Sequence, residues 1–121
     1  MATHHELGRR GEKIACRYLE EKGYRILERN WRFRHTEIDL IASWKGILIF
    51  AEVKSRIGHR YGYPEESVTW QKQKHLQRAS SAYLARAKFQ EEIRFDIISI
   101  TFLADGTHEV YHIEDAFFPG L

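Results

Sequence analysis

Glu37-Ile38-Asp39-Leu40-Ile41-Ala42 is followed, after Ser43-Trp44-Lys45-Gly46, by Ile47-Leu48-Ile49-Phe50-Ala51-Glu52-Val53-Lys54. Two apolar runs of strand length, joined by a short glycine-bearing connection, predict an antiparallel hairpin with strands over 38–42 and 47–53. Strand alternation puts Ile47, Ile49, Ala51 and Val53 on one face, and Leu48, Phe50, Glu52 and Lys54 on the other. Both faces start apolar, so this second strand is predicted to be central and covered on both sides.

Upstream, Leu7, Gly11, Ile14, Ala15, Tyr18 and Leu19 recur at helical spacing and predict an amphipathic helix over 6–22 that Gly23 stops. Residues 24–31 predict another strand. Downstream, the polar stretch 55–66 holds Gly58, Gly62 and Pro64 and is predicted to be a loop. A second helix over 69–88 carries Leu76, Ala79, Ser80, Tyr83, Leu84 and Ala87 on its inner stripe. Strands over 93–102 and 109–113 flank an Asp105-Gly106 turn. The order α-β-β-β-α-β-β predicts a small α/β domain, a mixed sheet flanked by helices.

Composition sets the bounds. A chain of 121 residues falls within the usual range of a single domain, here 1–121. With 43% hydrophobic residues, only 8 Gly and 2 Pro, it can fill a core and leaves little for a linker. The lone Cys16 cannot form an internal disulfide, which fits a cytoplasmic setting. The longest apolar run, Ile47 to Ala51, is about a quarter of the roughly 20 residues a spanning helix needs, so no membrane association is expected. Net charge is +2, but it is uneven: residues 54–88 carry +6 and residues 89–121 carry −6. Either one side faces a polyanion, or the two blocks pair with each other across the fold.

Chemistry enters with carboxylates on strands that otherwise want apolar residues. Asp39 and Glu52 sit on adjacent hairpin strands, where they repel unless a cation lies between them. Glu52 and Lys54 leave the same face, and Asp39 can reach it from the neighbouring strand. Hard oxygen ligands select Mg²⁺ or Mn²⁺, and an ion held by Asp39 and Glu52 can lower the pKa of a bound water and stabilise charge on a phosphodiester. Lys54 would orient the attacking water or neutralise the phosphoryl oxygen. The plain alternative is a Glu–Lys ion pair at a strand end beside a half-exposed Asp. Glu12 shares a helix stripe with Gly8, Ala15 and Leu19 and leans toward the sheet, as a further ligand or as a helix-start glutamate favoured by the dipole. Lys72, one turn before Leu76, would put a charge beside the scissile phosphate or snorkel to solvent. Gln71 and Gln73 are weaker candidates, and Glu37 shares the face of Asp39.

Gly8-x-x-Gly11-Glu12-x-x-Ala15, Glu37 to Ala42, Phe50-Ala51-Glu52-Val53-Lys54-Ser55-Arg56, Lys72-x-x-x-Leu76, Arg94-Phe95-Asp96 and His112 to Phe117 occur in one order. Together they closely resemble the YraN-like family of uncharacterised bacterial proteins, over nearly the whole chain. That family is grouped with the restriction-endonuclease-like, PD-(D/E)xK nucleases and looks most similar to archaeal Holliday-junction resolvases. The resemblance implies a restriction-endonuclease-like fold with Asp39 as the motif aspartate, Glu52 and Lys54 as the (D/E)xK pair, and Glu12 as the helix glutamate. It also implies that the Val53 carbonyl completes the metal shell. Thr36 departs from the glycine usual there, which implies an altered lead into the strand rather than an altered site.

Basic residues surround the implied site. Arg25, Arg29, Arg32 and Arg34 flank Trp31 and Phe33, Arg56, His59 and Arg60 follow the second hairpin strand, and Lys72 and Lys74 open the second helix. Basic side chains interleaved with aromatics suit phosphate contact plus stacking. No base-reading motif is visible, which favours recognition of nucleic-acid structure, DNA before RNA. Cutting a four-way junction takes two incisions, so that activity would imply a homodimer. Three functions compete: a Mg²⁺- or Mn²⁺-dependent endonuclease acting on branched or damaged DNA, a non-cleaving nucleic-acid-binding module, and a protein-interaction domain using the Phe117-Phe118 tail. The seven histidines form no zinc spacing with Cys16, and no nucleotide-binding glycine motif is present.

Overall fold

A computed structural model describes residues 3–58, 68–88 and 92–117. Helix α1 (His4–Glu21) leads into strands β1 (Arg25–Phe33), β2 (Thr36–Trp44) and β3 (Ile47–Ile57); helix α2 (Trp70–Ala87), β4 (Ile93–Phe102) and β5 (His108–Ile113) follow. The predicted element order is the observed one. The five strands form one mixed sheet in the order β1-β2-β3-β4-β5. Pairing is antiparallel except between β3 and β4, and α2 is the crossover that this parallel pair requires.

Local chemistry explains where the elements start and stop. Thr3 and Glu6 form a reciprocal capping box, so α1 begins two residues before the predicted start. Gly23, at φ 92°, takes the left-handed position that ends it. The β2–β3 turn is tighter than predicted. Ser43 and Trp44 belong to β2, and Lys45 and Gly46 alone make the turn, both at positive φ (49° and 80°), as a two-residue primed turn demands. Thr69 caps α2 by accepting from the Lys72 amide. The predicted loop is corrected at its start: Ser55, Arg56 and Ile57 continue β3, because β4 offers a partner for each down to Ile57–Phe102. Residues 59–66 of that stretch, with Gly62 and Pro64, lie outside the described residues.

Burial follows the predicted alternation. Ile49 and Ala51 face α1 and pack with Leu7, Ala15, Leu19, Leu40 and Ile98. Leu48 and Phe50 face α2 and pack with Leu76, Ala79, Ile41 and Phe95. On the inner stripe of α2, Leu76, Ala79 and Ser80 are buried and Tyr83 and Leu84 half-buried, but Ala87 is exposed, as the last turn runs past the sheet. Among the described residues no helix is long and apolar enough to cross a membrane.

Candidate active site

The sheet splits at the site. The β2–β3 ladder runs from Trp44–Ile47 to Leu40–Ala51 and stops there. Beyond it β2 stays with β1 as far as Phe33–Thr36, while β3 stays with β4. Asp39 and Glu52 are the first residues past the split. Val53 is the next residue due to bond across to β2. The Asp39 carboxylate takes the place of that strand, accepting the Val53 N–H at 2.8 Å. In an extended strand the N–H and C=O of one residue point to the same side, so the Val53 carbonyl also faces the split.

Asp39 therefore looks both ways. On the α1 side it lines a cavity of about 480 Å³ with His4, Gly8, Glu12, Ser55 and Arg56. On the α2 side it lines one of about 460 Å³ with Glu37, Glu52, Gln71 and Lys72. Glu12 reaches the split because α1 lies hard against β3: a Cβ on Gly11 would stand 1.8 Å from Ser55 Oγ, so only glycine permits that approach.

Electrostatics mark the same point. Burial raises the Asp39 carboxyl, and the charges of Glu52 and Glu12 add to it, while the Val53 amide and Lys72 oppose; the result is a pKa of about 8. Glu12 is raised by burial and by Glu37 and Glu52, against a hydrogen bond from Asn30. Glu52 is buried, 6% exposed, and its Oε1 takes the Lys72 ammonium and, at 3.3 Å, that of Lys54. Burial pushes Lys54 toward neutrality; Glu52 holds it back and Lys72 adds to the push. Lys72 moves the other way, since Glu52 outweighs its burial.

The predicted residues thus stand around the split, though not yet as one ligand set. Among the described residues no three carboxylate or imidazole groups lie close enough together to hold an ion as the side chains stand. Glu52 is turned onto its two lysines, and Glu12 approaches from the opposite face to Glu52.

A family model described as "Uncharacterised protein family UPF0102" matches residues 11–100. Relatives called UPF0102 protein are 46% identical in Chlorobium chlorochromatii (93% of this chain, 91% of the relative) and 42% in Bacteroides thetaiotaomicron (100% and 99%). One from Rhodococcus opacus is 40% identical over 97% of this chain and its own whole length. The chain belongs to the UPF0102 family. At that level the resemblance to the YraN-like proteins is borne out.

In this UPF0102 chain the predicted nucleic-acid residues divide. Arg34, in the two-residue β1–β2 turn at φ 57°, and Lys74 line a groove beside the α2-side cavity. Arg56 lines the α1-side cavity. Arg32 is exposed and pairs with Glu37 at 3.2 Å. Arg60, with His59, lies outside the described residues, as does Phe118. Gln71 lines the α2-side cavity, whereas Gln73 braces the helix start by donating to the Val68 carbonyl at 3.2 Å. Sequence reasoning gave no site role to His4, which lines the cavity with Glu12 and Asp39. It passed over Asn30, which bonds to Glu12 from a left-handed position (φ 52°). An asparagine inside a predicted strand, where it is disfavoured, was the available signal.

Proposed function

We propose that this protein is a Mg²⁺- or Mn²⁺-dependent endonuclease of the restriction-endonuclease-like, PD-(D/E)xK kind, hydrolysing phosphodiester bonds in branched or damaged DNA. One observation carries the reading. Asp39 sits where β2 and β3 part, facing both cavities, and burial first, then the charges of Glu52 and Glu12, raise its pKa to about 8. Evenly matched ion pairs do not leave a carboxyl in that state; a divalent cation would relieve it.

The donor set fits a hard ion. Asp39, Glu52, Glu12 and the Val53 carbonyl offer oxygen only, which suits Mg²⁺ or Mn²⁺ rather than zinc. Such an ion, when bound, polarises the phosphodiester and offsets the charge that develops on it. The chain's own groups do the rest. Lys54, which burial drives toward its neutral form, takes the proton of the attacking water. Lys72, held charged, pairs with a non-bridging phosphoryl oxygen. Loading requires Glu52 to turn from the lysines toward the split, which frees both lysine side chains for these tasks. Cutting both arms of a junction would take two copies of the chain, and the lone Cys16 suits the cytoplasm as its place of work.

A second reading rests on the same contact. If Glu52 keeps both lysines, the protein is a nucleic-acid-binding module that does not cut. A panel of four-way, flapped, nicked and linear DNAs with Mg²⁺ or Mn²⁺ decides between them. The wild type should cleave at least one, and Asp39→Ala should lose cleavage while still binding. Salt-sensitive binding with no cleavage on any substrate would remove the nuclease reading.

A further inference from the structure

The α2-side cavity does not end at Lys72. His35, Thr36 and His75 line it and also line a second groove, of about 900 Å³, between the β1–β2 turn and α2. The groove is continuous with the cleft that holds Asp39 and Glu52. Its charged walls are Arg34, Lys74 and Arg78, and among the described residues no carboxylate lines it. A chain with a net charge of only +2 has concentrated positive charge along a path leading away from the candidate site.

A second observation gives that path its chemistry. Trp70 opens α2 and is 72% exposed. Lys74 stands one turn later, its ammonium 5.1 Å from the centre of the indole ring. No other aromatic ring packs on Trp70 among the described residues. A large exposed indole, covered on one side by a cation and open on the other, beside a basic groove, is what a stacked base requires.

We propose that this groove binds a single-stranded stretch of polynucleotide continuous with the scissile strand. Its phosphates pair with Arg34, Lys74 and Arg78, and one unpaired base stacks on the free face of Trp70. The inference rests on the nuclease reading only for which strand enters the cleft. Size argues against a duplex in the groove: about 900 Å³ is near the top of the range, roughly 300–1,000 Å³, of sites that enclose one small ligand, so it takes one or two nucleotides. The preferred DNA would then carry an unpaired segment next to the cut, as flaps and opened junctions do.

Binding without divalent metal tests this apart from cleavage. Anisotropy of a labelled single strand, and of the duplex of the same sequence, is measured over a salt series with the full chain in EDTA. The wild type should bind the single strand more tightly. The double variant Arg34→Ala/Arg78→Ala should weaken that binding and lower the salt slope by about 1.4, roughly 0.7 for each lost phosphate contact. Trp70→Ala should lose about tenfold, within the range seen for one stacked base, and Trp70→Phe should recover most of it. All three side chains lie at the surface, so thermal unfolding should be unchanged. Equal binding by these variants, or a wild type that prefers the duplex, would overturn the proposal. If Mn²⁺-dependent cleavage is present but the variants bind normally, the groove assignment fails alone. If the variants behave as stated and no substrate is cut, the nuclease reading fails and the single-strand groove stands.

Discussion

Two carboxylates of the sheet, one buried and one half-buried, lie on either side of β3, and the molecule treats them in opposite ways. Asp96, on β4, is 1% exposed. Arg94 grips it in a bidentate pair at 2.8 Å, His112 Nε2 reaches it at 2.7 Å and the Asp115 amide donates at 3.0 Å. Those partners are themselves held: Arg94 by Tyr24 and Glu114, and His112 by Tyr18. Burial alone would raise the Asp96 carboxyl, but His112, Arg94 and the Asp115 amide bring it below its ordinary value. Asp39 is raised by its burial and further by Glu52 and Glu12, with the Val53 amide and Lys72 opposing, and its pKa rises to about 8. A group that serves the fold is fully partnered; a group whose partners are mainly repulsive is one the fold tolerates for another purpose.

The largest stability effect should separate the two. Asp96→Ala leaves Arg94 buried beside a lost partner and should cost about 3–5 kcal/mol in urea unfolding. Asp39→Asn removes repulsion and keeps the shape, so it should not destabilise at neutral pH. Comparable losses in both would mean that Asp39 is a structural residue, and the contrast would fall.

Acidity sharpens the same contrast, because the two contributions have opposite slopes. Asp96, lowered in the fold, stabilises above the ordinary carboxylate range, and that contribution is lost as pH falls through its folded value. Asp39 is raised, so its contribution is complete below about pH 4 and is lost as pH climbs to about 8. Metal-free protein should therefore lose stability between about pH 5 and about pH 8. Mg²⁺ or Mn²⁺ should restore it at the upper end by binding the folded state, and Asp39→Asn should flatten the slope and abolish the metal response. Urea titrations at the two pH values, with and without the ion, read all three. A wild-type slope unchanged by Asp39→Asn would assign the pH dependence to other groups.

The contrast also shows what was legible in the chain. Alternation along 47–54 placed Glu52 and Lys54 on the face opposite Ile49 and Ala51, because a period of two leaves no other choice once a strand is central. The helix stripe through Leu76 likewise set Lys72 inward. The split between β2 and β3 was not legible: ladder termination depends on which neighbour each strand follows, a non-local competition that no local pattern reports. Nor did Asp39's position between two cavities follow from counting residues, since that needs the divergence of the strands. Asp96 was read only as part of a motif fragment, because its partners Tyr24 and His112 come from distant stretches.

The smallest effect bears on Lys54. The β3–β4 register sets Ser99 directly beside it, and the Ser99 hydroxyl is buried with no hydrogen-bond partner among the described residues. Removing an unpaired buried hydroxyl is neutral or favourable, so Ser99→Ala should stabilise by up to about 1 kcal/mol in the metal-free protein. A purely structural serine predicts nothing more. If Glu52 turns to an ion, however, Lys54 loses its 3.3 Å partner, and Ser99 is the adjacent oxygen able to accept from it. The variant should then be more stable and yet slower in Mn²⁺-dependent cleavage, with substrate affinity unchanged. Loss of stability in Ser99→Ala would show that the hydroxyl already has a partner, and would remove it as a support for Lys54.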